Sequence, residues 1–148
     1  MQGTQKMNRG EIPEEYKWRM EDIYPDTAAW ERDFASLQPI GDQVAAYAGR
    51  LGEEDALVSC LLLDEKLSMT LEKVYGYARM SQDLDNASPT AQSMQERAMT
   101  LLFQIQEKTA FLLPELTSLD PAWLRDVVKR RSELQDFHHM IDNVIRSR

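Results

Sequence analysis

The sequence predicts an all-α fold made of long antiparallel helical hairpins or a bundle. After Pro25, apolar residues recur every three or four positions along most of the chain, which is the period of an amphipathic helix. No segment shows the strict alternation that marks a strand, and only six glycines and six prolines interrupt the 148 residues. We divide the chain into an extended segment, residues 1–25, whose first ten residues we expect to be disordered, and a single helical domain, residues 26–148.

The first helix is expected to begin at Asp26 or Thr27, because the side-chain oxygens of either residue can accept amides of the first helical turn. Pro39 lies within this helix and lacks an amide proton, so we expect a kink or short break between residues 38 and 41. Gly49 and Gly52 should end the segment. The apolar stripe of this segment comprises Trp30, Phe34, Leu37, Val44, Ala48 and Leu51.

A second helix is predicted from the acidic turn at residues 53–55 to about Asp85. Acidic residues suit a helix amino terminus, and no glycine-proline signal interrupts the run that follows. Unbroken, this helix would be on the order of 50 Å long. Its inward stripe is expected to comprise Leu63, Leu67, Leu71, Val74, Tyr75 and Ala78.

Two pairs of a capping residue followed by proline predict further helix starts, at Ser88 and Asp120. The first of these helices should continue until Pro114, and the second should end near Arg131. Their apolar faces comprise Met94, Ala98, Leu101, Ile105 and Leu112 in the first helix, and Trp123, Leu124, Val127 and Val128 in the second.

A capping box of Ser132 and Gln135 predicts the start of a final helix. Its inward residues are expected to be Leu134, Phe137, Ile141 and Val144. This helix reaches Arg148 without a glycine or proline stop signal, so we expect that the chain is truncated at its carboxy end.

The charge of the chain excludes two classes of partner. A net charge of −8 and a pI near 4.8 disfavour nucleic acid and an anionic membrane surface. The basic run at residues 129–131 is interpreted as a complement to a helix carboxy terminus, with a phosphate-binding patch as the alternative. The single cysteine, Cys60, is expected to be a buried thiol, and no apolar run approaches the ~20 residues of a membrane span. We therefore expect a soluble cytoplasmic protein.

Motif inspection yields no catalytic, cofactor-binding or metal-binding residue. His138 and His139 point about 100° apart on a helix, so they cannot converge on one metal. A pairing of His138 with Asp142 would supply only two ligands. The oxygen spacing at residues 83–86 resembles the start of a calcium loop but lacks its glycine and closing glutamate, which favours a helix-ending turn. The methionines of the central helices are interpreted as core, with an adaptable binding face as the alternative.

The run EIPEEYKWRMEDIYP, residues 11–25, resembles the opening of oligoendopeptidase F and its relatives. Further likeness occurs, in the same order, at residues 49–51, 73–78, 83–85 and 137–146, so the resemblance covers nearly the whole chain. Gly76 and Pro39 depart from the family pattern.

The resemblance implies a zinc metallopeptidase that cleaves oligopeptides, in which the corresponding region is an amino-terminal helical lobe that packs on a catalytic domain. The zinc-binding string His-Glu-x-x-His is absent from this chain. No catalytic residue is carried over, and we expect the chain to be inactive alone, with zinc and oligopeptide substrates belonging to the parent enzyme. The alternative is a free-standing helical interaction or dimerisation module. For a lobe separated from its catalytic domain, apolar stripes at residues 63–78 and 94–112 predict self-association of the isolated chain.

Overall fold

The computed structural model describes Met20 and residues 22–147. All regular structure in these residues is helical, so the all-α prediction is confirmed. The predictions for residues 1–19 lie outside the described residues. The elements are α1 (Thr27–Ala45), α2 (Glu54–Leu84), α3 (Pro89–Thr109), α4 (Leu112–Ser118), α5 (Pro121–Arg130), a 3₁₀ helix (Ser132–Phe137) and α6 (His138–Arg146).

The chain divides into two compact units, and each unit is built from two separate stretches of sequence. Unit 1 comprises Met1–Gln38 and Ser68–Ile105, and unit 2 comprises Pro39–Leu67 and Gln106–Arg148. The boundaries fall inside the three longest helices. The single domain inferred for residues 26–148 stays a prediction.

In unit 1, α1 and α3 run parallel. Arg97 on α3 pairs with Glu31 on α1, and the Gln104 side chain accepts a hydrogen bond from Gln38, with 66 residues between the partners in both cases. Because the sequence separation is the same for both pairs, the two helices must run in the same direction. The four-residue connection Asp85–Ser88 makes α2 antiparallel to α3. The buried apolar residues are Met20, Tyr24, Trp30, Leu37, Val74, Tyr77, Ala78, Ala91, Met94, Ala98, Leu101 and Ile105.

In unit 2, α5 contacts both the 3₁₀ helix and α6, and α4 contacts α6. The four residues expected to face inward from the final helical segment, Leu134, Phe137, Ile141 and Val144, are all buried, as predicted. The other buried apolar residues of this unit are Ile40, Val44, Leu51, Ala56, Leu57, Val58, Cys60, Leu61, Leu67, Leu116, Leu124, Val127 and Val128.

Three helix starts are confirmed by their capping hydrogen bonds. Asp26 accepts the amide of Ala29 at 2.9 Å, and Ser88 accepts the amide three positions on at 3.2 Å. Asp120 accepts the amide of Trp123, also at 3.2 Å. Each bond satisfies a first-turn amide that has no partner inside its own helix.

The short break considered at Pro39 is wrong, because α1 continues without interruption through that residue to Ala45, while the alternative of a kink stays a prediction. Proline removes one helical hydrogen bond, so its position in the sequence alone favours an interruption of the helix. Here the flanking Leu37 and Ile40 are 0% and 8% exposed, so burial on both sides of the proline favours a continuous helix. Helix α1 nevertheless ends four residues before Gly49, whose φ of +82° places that glycine in the left-handed region.

Two boundaries in the carboxy-terminal part also differ from prediction. Helix α3 ends at Thr109, and Pro114 lies in the first turn of α4, where its missing amide costs little. The capping box at Ser132 does not form, since the segment from Ser132 is a 3₁₀ helix with no side-chain cap. Leu134 has φ −99° and ψ 17°, which interrupts the helical geometry, and the α-helix starts only at His138.

Candidate functional site

A cleft lies in unit 1 beside the turn that joins α2 to α3. Its volume is about 200 Å³. Apolar side chains form much of its lining, while hydroxyl groups and one carboxylate supply the polar part. The lining residues are Met20, Thr27, Tyr77, Ser81, Leu84, Asp85, Ser88, Thr90, Ala91 and Met94.

Asp85 is the charged residue among those that line this cleft, and it is only partly exposed. Its backbone amide donates to Ser81 at 3.1 Å, and its carbonyl accepts from Ser88 at 3.1 Å. These bonds confirm that the acidic stretch at residues 83–86 is a helix-ending turn. Within residues 22–147 and Met20, the Asp85 carboxylate has neither a hydrogen-bond donor nor an ion-pair partner.

A second, shallower groove of about 400 Å³ lies between α1 and α3 in unit 1. Arg97 lies in this groove, 4.5 Å from the ring centre of Phe34 and 5.2 Å from that of Trp30. Its guanidinium also makes two 2.8 Å hydrogen bonds to Glu31, which lower the pKa of that carboxyl. The guanidinium is therefore already neutralised and held, which makes it a poor receptor for an anionic ligand.

Trp30 anchors the first helix of unit 1. Its side chain is 0% exposed, and its indole nitrogen donates to the carbonyl oxygen of Val74 at 2.9 Å. A buried tryptophan normally needs such a partner for its N–H group. This contact joins residues that are 44 positions apart and fixes α1 against α2.

Tyr24, from the acidic and aromatic opening motif, is a second anchor. Its hydroxyl donates to Asp33 at 2.7 Å, and its ring meets Tyr77 edge-on at 5.2 Å. Lys73 lies 4.9 Å from the Tyr24 ring centre and 4.0 Å from the Asp33 carboxylate. Burial, together with the bond to Asp33, raises the pKa of Tyr24 well above its ordinary value. The motif therefore has a structural role at this residue, while Trp18 and Glu21 lie outside the described residues.

In unit 2, Glu115 holds the loop between α1 and α2. Its two carboxylate oxygens accept the backbone amides of Gly49 at 2.7 Å and Leu51 at 2.9 Å. Leu51 is fully buried, so the loop must keep a fixed path at this point. Sequence reasoning did not single out Glu115, because no local pattern links it to residues 64 and 66 positions earlier.

Two of the three residues in the basic run at the end of α5, Arg130 and Arg131, are paired with acidic residues. Arg130 contacts Glu54 at 2.7 Å, and Arg131 contacts Glu54, Asp55 and Glu133 at 2.9, 3.0 and 3.1 Å. Hydrogen bonds from Arg130 and Arg131 lower the pKa of Glu54 to about 2. The run lies at the helix end, as interpreted from the sequence. These contacts leave little of the charge of Arg130 and Arg131 for a phosphate.

Cys60 is a buried thiol, as predicted, with 0% exposure. Burial is the main cause that raises its pKa to about 12, and the charges of Asp64 and Glu115 act in the same direction. Burial also raises the pKa of Asp64. The thiol is thus in its unreactive protonated form at neutral pH.

The donor set of the described residues does not fit the zinc site that the family resemblance implies for a complete enzyme. His138 and His139 are both exposed, and His139 lies 3.3 Å from the Asn143 amide nitrogen. Asp142, the other ligand considered for His138, is 4.0 Å from Arg125. No group of three or more potential ligands occurs within Met20 and residues 22–147.

Some large apolar side chains face solvent. Met94 belongs to the core, but Met69 is 63% exposed, and Phe103 and Leu113 are 61% and 59% exposed. The stripes expected to drive self-association are mostly buried, so the exposed apolar surface comes from other residues. Among the described helices, none combines the length and apolar character needed to cross a membrane.

Comparison with known proteins gives a consistent class. The chain is 30% identical over 146 residues to oligopeptidase PepF of Bacillus subtilis, which covers 98% of this chain and 22% of that relative. It is 28% identical to group B oligopeptidase PepB of Streptococcus agalactiae over 138 residues, with 93% and 23% coverage. The plasmid-encoded oligoendopeptidase F of Lactococcus lactis subsp. cremoris is 29% identical over 147 residues, with the same two coverages. No family model and no solved structure matches.

These matches relate the chain to the bacterial oligopeptidases. Within that class, the chain is a relative of the oligoendopeptidase F family, and the resemblance noted in the sequence is confirmed. The chain spans only about a fifth of the length of these relatives.

Proposed function

We propose that this chain is the amino-terminal helical lobe of an oligoendopeptidase F-like peptidase that hydrolyses peptide bonds in oligopeptides. The main support for this proposal is the extent of the alignments. Nearly all of this chain aligns with 22–23% of each relative, and those relatives are named as oligopeptidases. The lobe contributes packing surface and channel wall, while zinc and the reacting groups belong to the catalytic domain. The cytoplasm is the proposed compartment.

The contacts of the described residues support a scaffolding role. The cationic groups Arg97, Arg130 and Arg131 are each held by carboxylates, and Tyr24 and Trp30 use their polar atoms to fix helix α1. Side chains tied in this way position a wall rather than perform proton transfer.

Two measurements test the proposal. A chimera of the Bacillus subtilis relative, with its matching region replaced by this chain, should cleave oligopeptides, as followed by mass spectrometry. The chain alone should leave the same peptides intact with or without added zinc. Peptide cleavage by the purified chain itself would contradict the proposal, as would a folded, zinc-loaded chimera without activity.

A second candidate, a helical interaction module, is favoured by the exposure of Met69, Phe103 and Leu113. Contiguous exposed apolar surface often marks an interface. Because an isolated lobe is also expected to self-associate, a dimer alone does not separate the two candidates. A strict monomer in light scattering at high concentration would contradict the module. Reading the gene past codon 148 provides an independent check, since a downstream His-Glu-x-x-His string is expected only for the peptidase.

A further inference from the structure

The cleft beside the α2–α3 turn combines an apolar floor with a partly buried carboxylate. Tyr77, Ala91 and Met94 on its floor are at most 6% exposed. Ser81, Ser88 and Thr90 add hydroxyl groups to the same lining as Asp85. The cleft therefore offers apolar contact to one part of a ligand and hydrogen-bond acceptors to another.

Among the described residues, the Asp85 carboxylate has no hydrogen-bond or ion-pair partner, whereas two other carboxylates of the same unit do. Asp33 accepts a hydrogen bond from Tyr24, and Glu31 is paired with Arg97. A ligand that displaces water from this carboxylate must replace that water with a cation or a hydrogen-bond donor. A cationic ligand in the cleft would supply what Asp85 lacks.

These features select the ligand. An anionic ligand would meet the Asp85 charge within a chain of net charge −8, and a purely aliphatic ligand would desolvate the carboxylate without replacing its water. A lysine side chain has a flexible four-carbon stem that tolerates apolar surroundings and an ammonium head with three donors. We propose that this cleft binds a primary alkylammonium group, as carried by the lysine side chain of a peptide, with Asp85 as its counter-ion.

The proposal concerns binding by the chain itself, so it can fail without affecting the proposed peptidase role. The probes are N-acetyl-Gly-Lys-Gly-amide, the matching norleucine peptide, which keeps the aliphatic chain without the charge, and n-butylammonium chloride. Each is titrated into isotopically labelled protein, and the backbone amide shifts of Ser81, Ser88 and Thr90 are followed. Asp85→Asn removes the charge, and Asp83→Asn is the matched control, because Asp83 is exposed on the same turn and does not line the cleft.

The lysine peptide and butylammonium should both shift the resonances of these amides until the change saturates. The norleucine peptide should bind at least about tenfold more weakly, as expected for loss of a charge-assisted contact. Asp85→Asn should weaken binding of the lysine peptide by a similar factor. Asp83→Asn should leave the affinity for that peptide within about twofold of the unaltered chain. Equal binding of the lysine and norleucine peptides by the unaltered chain would overturn the proposal, and this comparison holds even if Asp85→Asn fails to fold. No saturable shift at peptide concentrations on the order of 10 mM, or binding of butylammonium without the peptide, would also overturn it.

Discussion

Removal of the Glu115 carboxylate should destabilise unit 2 by a calculable amount. In Glu115→Ala, the exposed Gly49 amide can bond to water instead, so the loss of its hydrogen bond should cost about 0.5–1 kcal/mol of stability. The Leu51 amide is part-buried, so the loss of its hydrogen bond should cost about 1.5–2 kcal/mol. The total is about 2–3 kcal/mol. With a urea dependence of about 2 kcal/mol/M for a protein of this size, the unfolding midpoint should fall by about 1–1.5 M.

A graded comparison sharpens this prediction. Glu115→Gln keeps one acceptor oxygen, so about half of the loss is expected, while Glu107→Ala, at an exposed position on α3, should change stability by less than about 0.5 kcal/mol. Amide hydrogen exchange adds a local measurement, because Leu51 should exchange about 10–30 times faster in Glu115→Ala. If Glu115→Ala matched Glu107→Ala in urea and the Leu51 exchange rate were unchanged, the inferred role of the carboxylate would be wrong.

Three further outcomes are expected. Glu54→Gln should reduce stability at neutral pH but not below pH 2, because the pKa of Glu54 is lowered from 4.5 to about 2; a lowered acid pKa contributes stability above its ordinary value that is lost as pH falls through the folded value. Arg97→Met should cost no more than about 1 kcal/mol in urea unfolding, since its ion pair with Glu31 is half-exposed and its ring contacts are modest. Cys60 should resist iodoacetamide at pH 8 in the folded protein and react in strong denaturant, because burial raises its pKa to about 12.

Each of these outcomes has a specific refutation. An equal deficit for Glu54→Gln at pH 7 and below pH 2 would show that the charge is not involved. A loss much larger than predicted for Arg97→Met would show that the cation is essential to the core. Rapid labelling of Cys60 without denaturant, detected by mass, would contradict its burial.

Local signals account for the parts of the fold that the sequence predicted well. Helix starts at Asp26, Ser88 and Asp120 depend on side chains that bond to amides three residues away, so a short window of sequence contains the information. A short window of sequence does not contain the information for two other features, the continuation of α1 through Pro39 and the anchoring of the loop by Glu115. Both depend on burial or bonding with residues distant in sequence, which periodicity and capping rules do not describe.

The same limit applies to charge. The basic run at residues 129–131 could be assigned to a helix end from the sequence, but its pairing with Glu54, 76 positions earlier than Arg130, could not. The Asp85 cleft was likewise visible only in part. The acidic turn was identified correctly, but the apolar floor combines residues of two helices, α2 and α3.

The pKa shifts of the described residues argue against acid–base chemistry at the anchoring groups. A general acid or base works best with a pKa near the working pH. The pKa values of Tyr24 and Cys60 are raised and that of Glu54 is lowered, so all three move away from neutrality. Asp64 is shifted toward neutrality, but by burial without a charged partner, whereas a tuned catalytic group usually has a specific one. The shifted groups therefore report contacts that hold the helices, which supports the scaffolding role proposed for this chain.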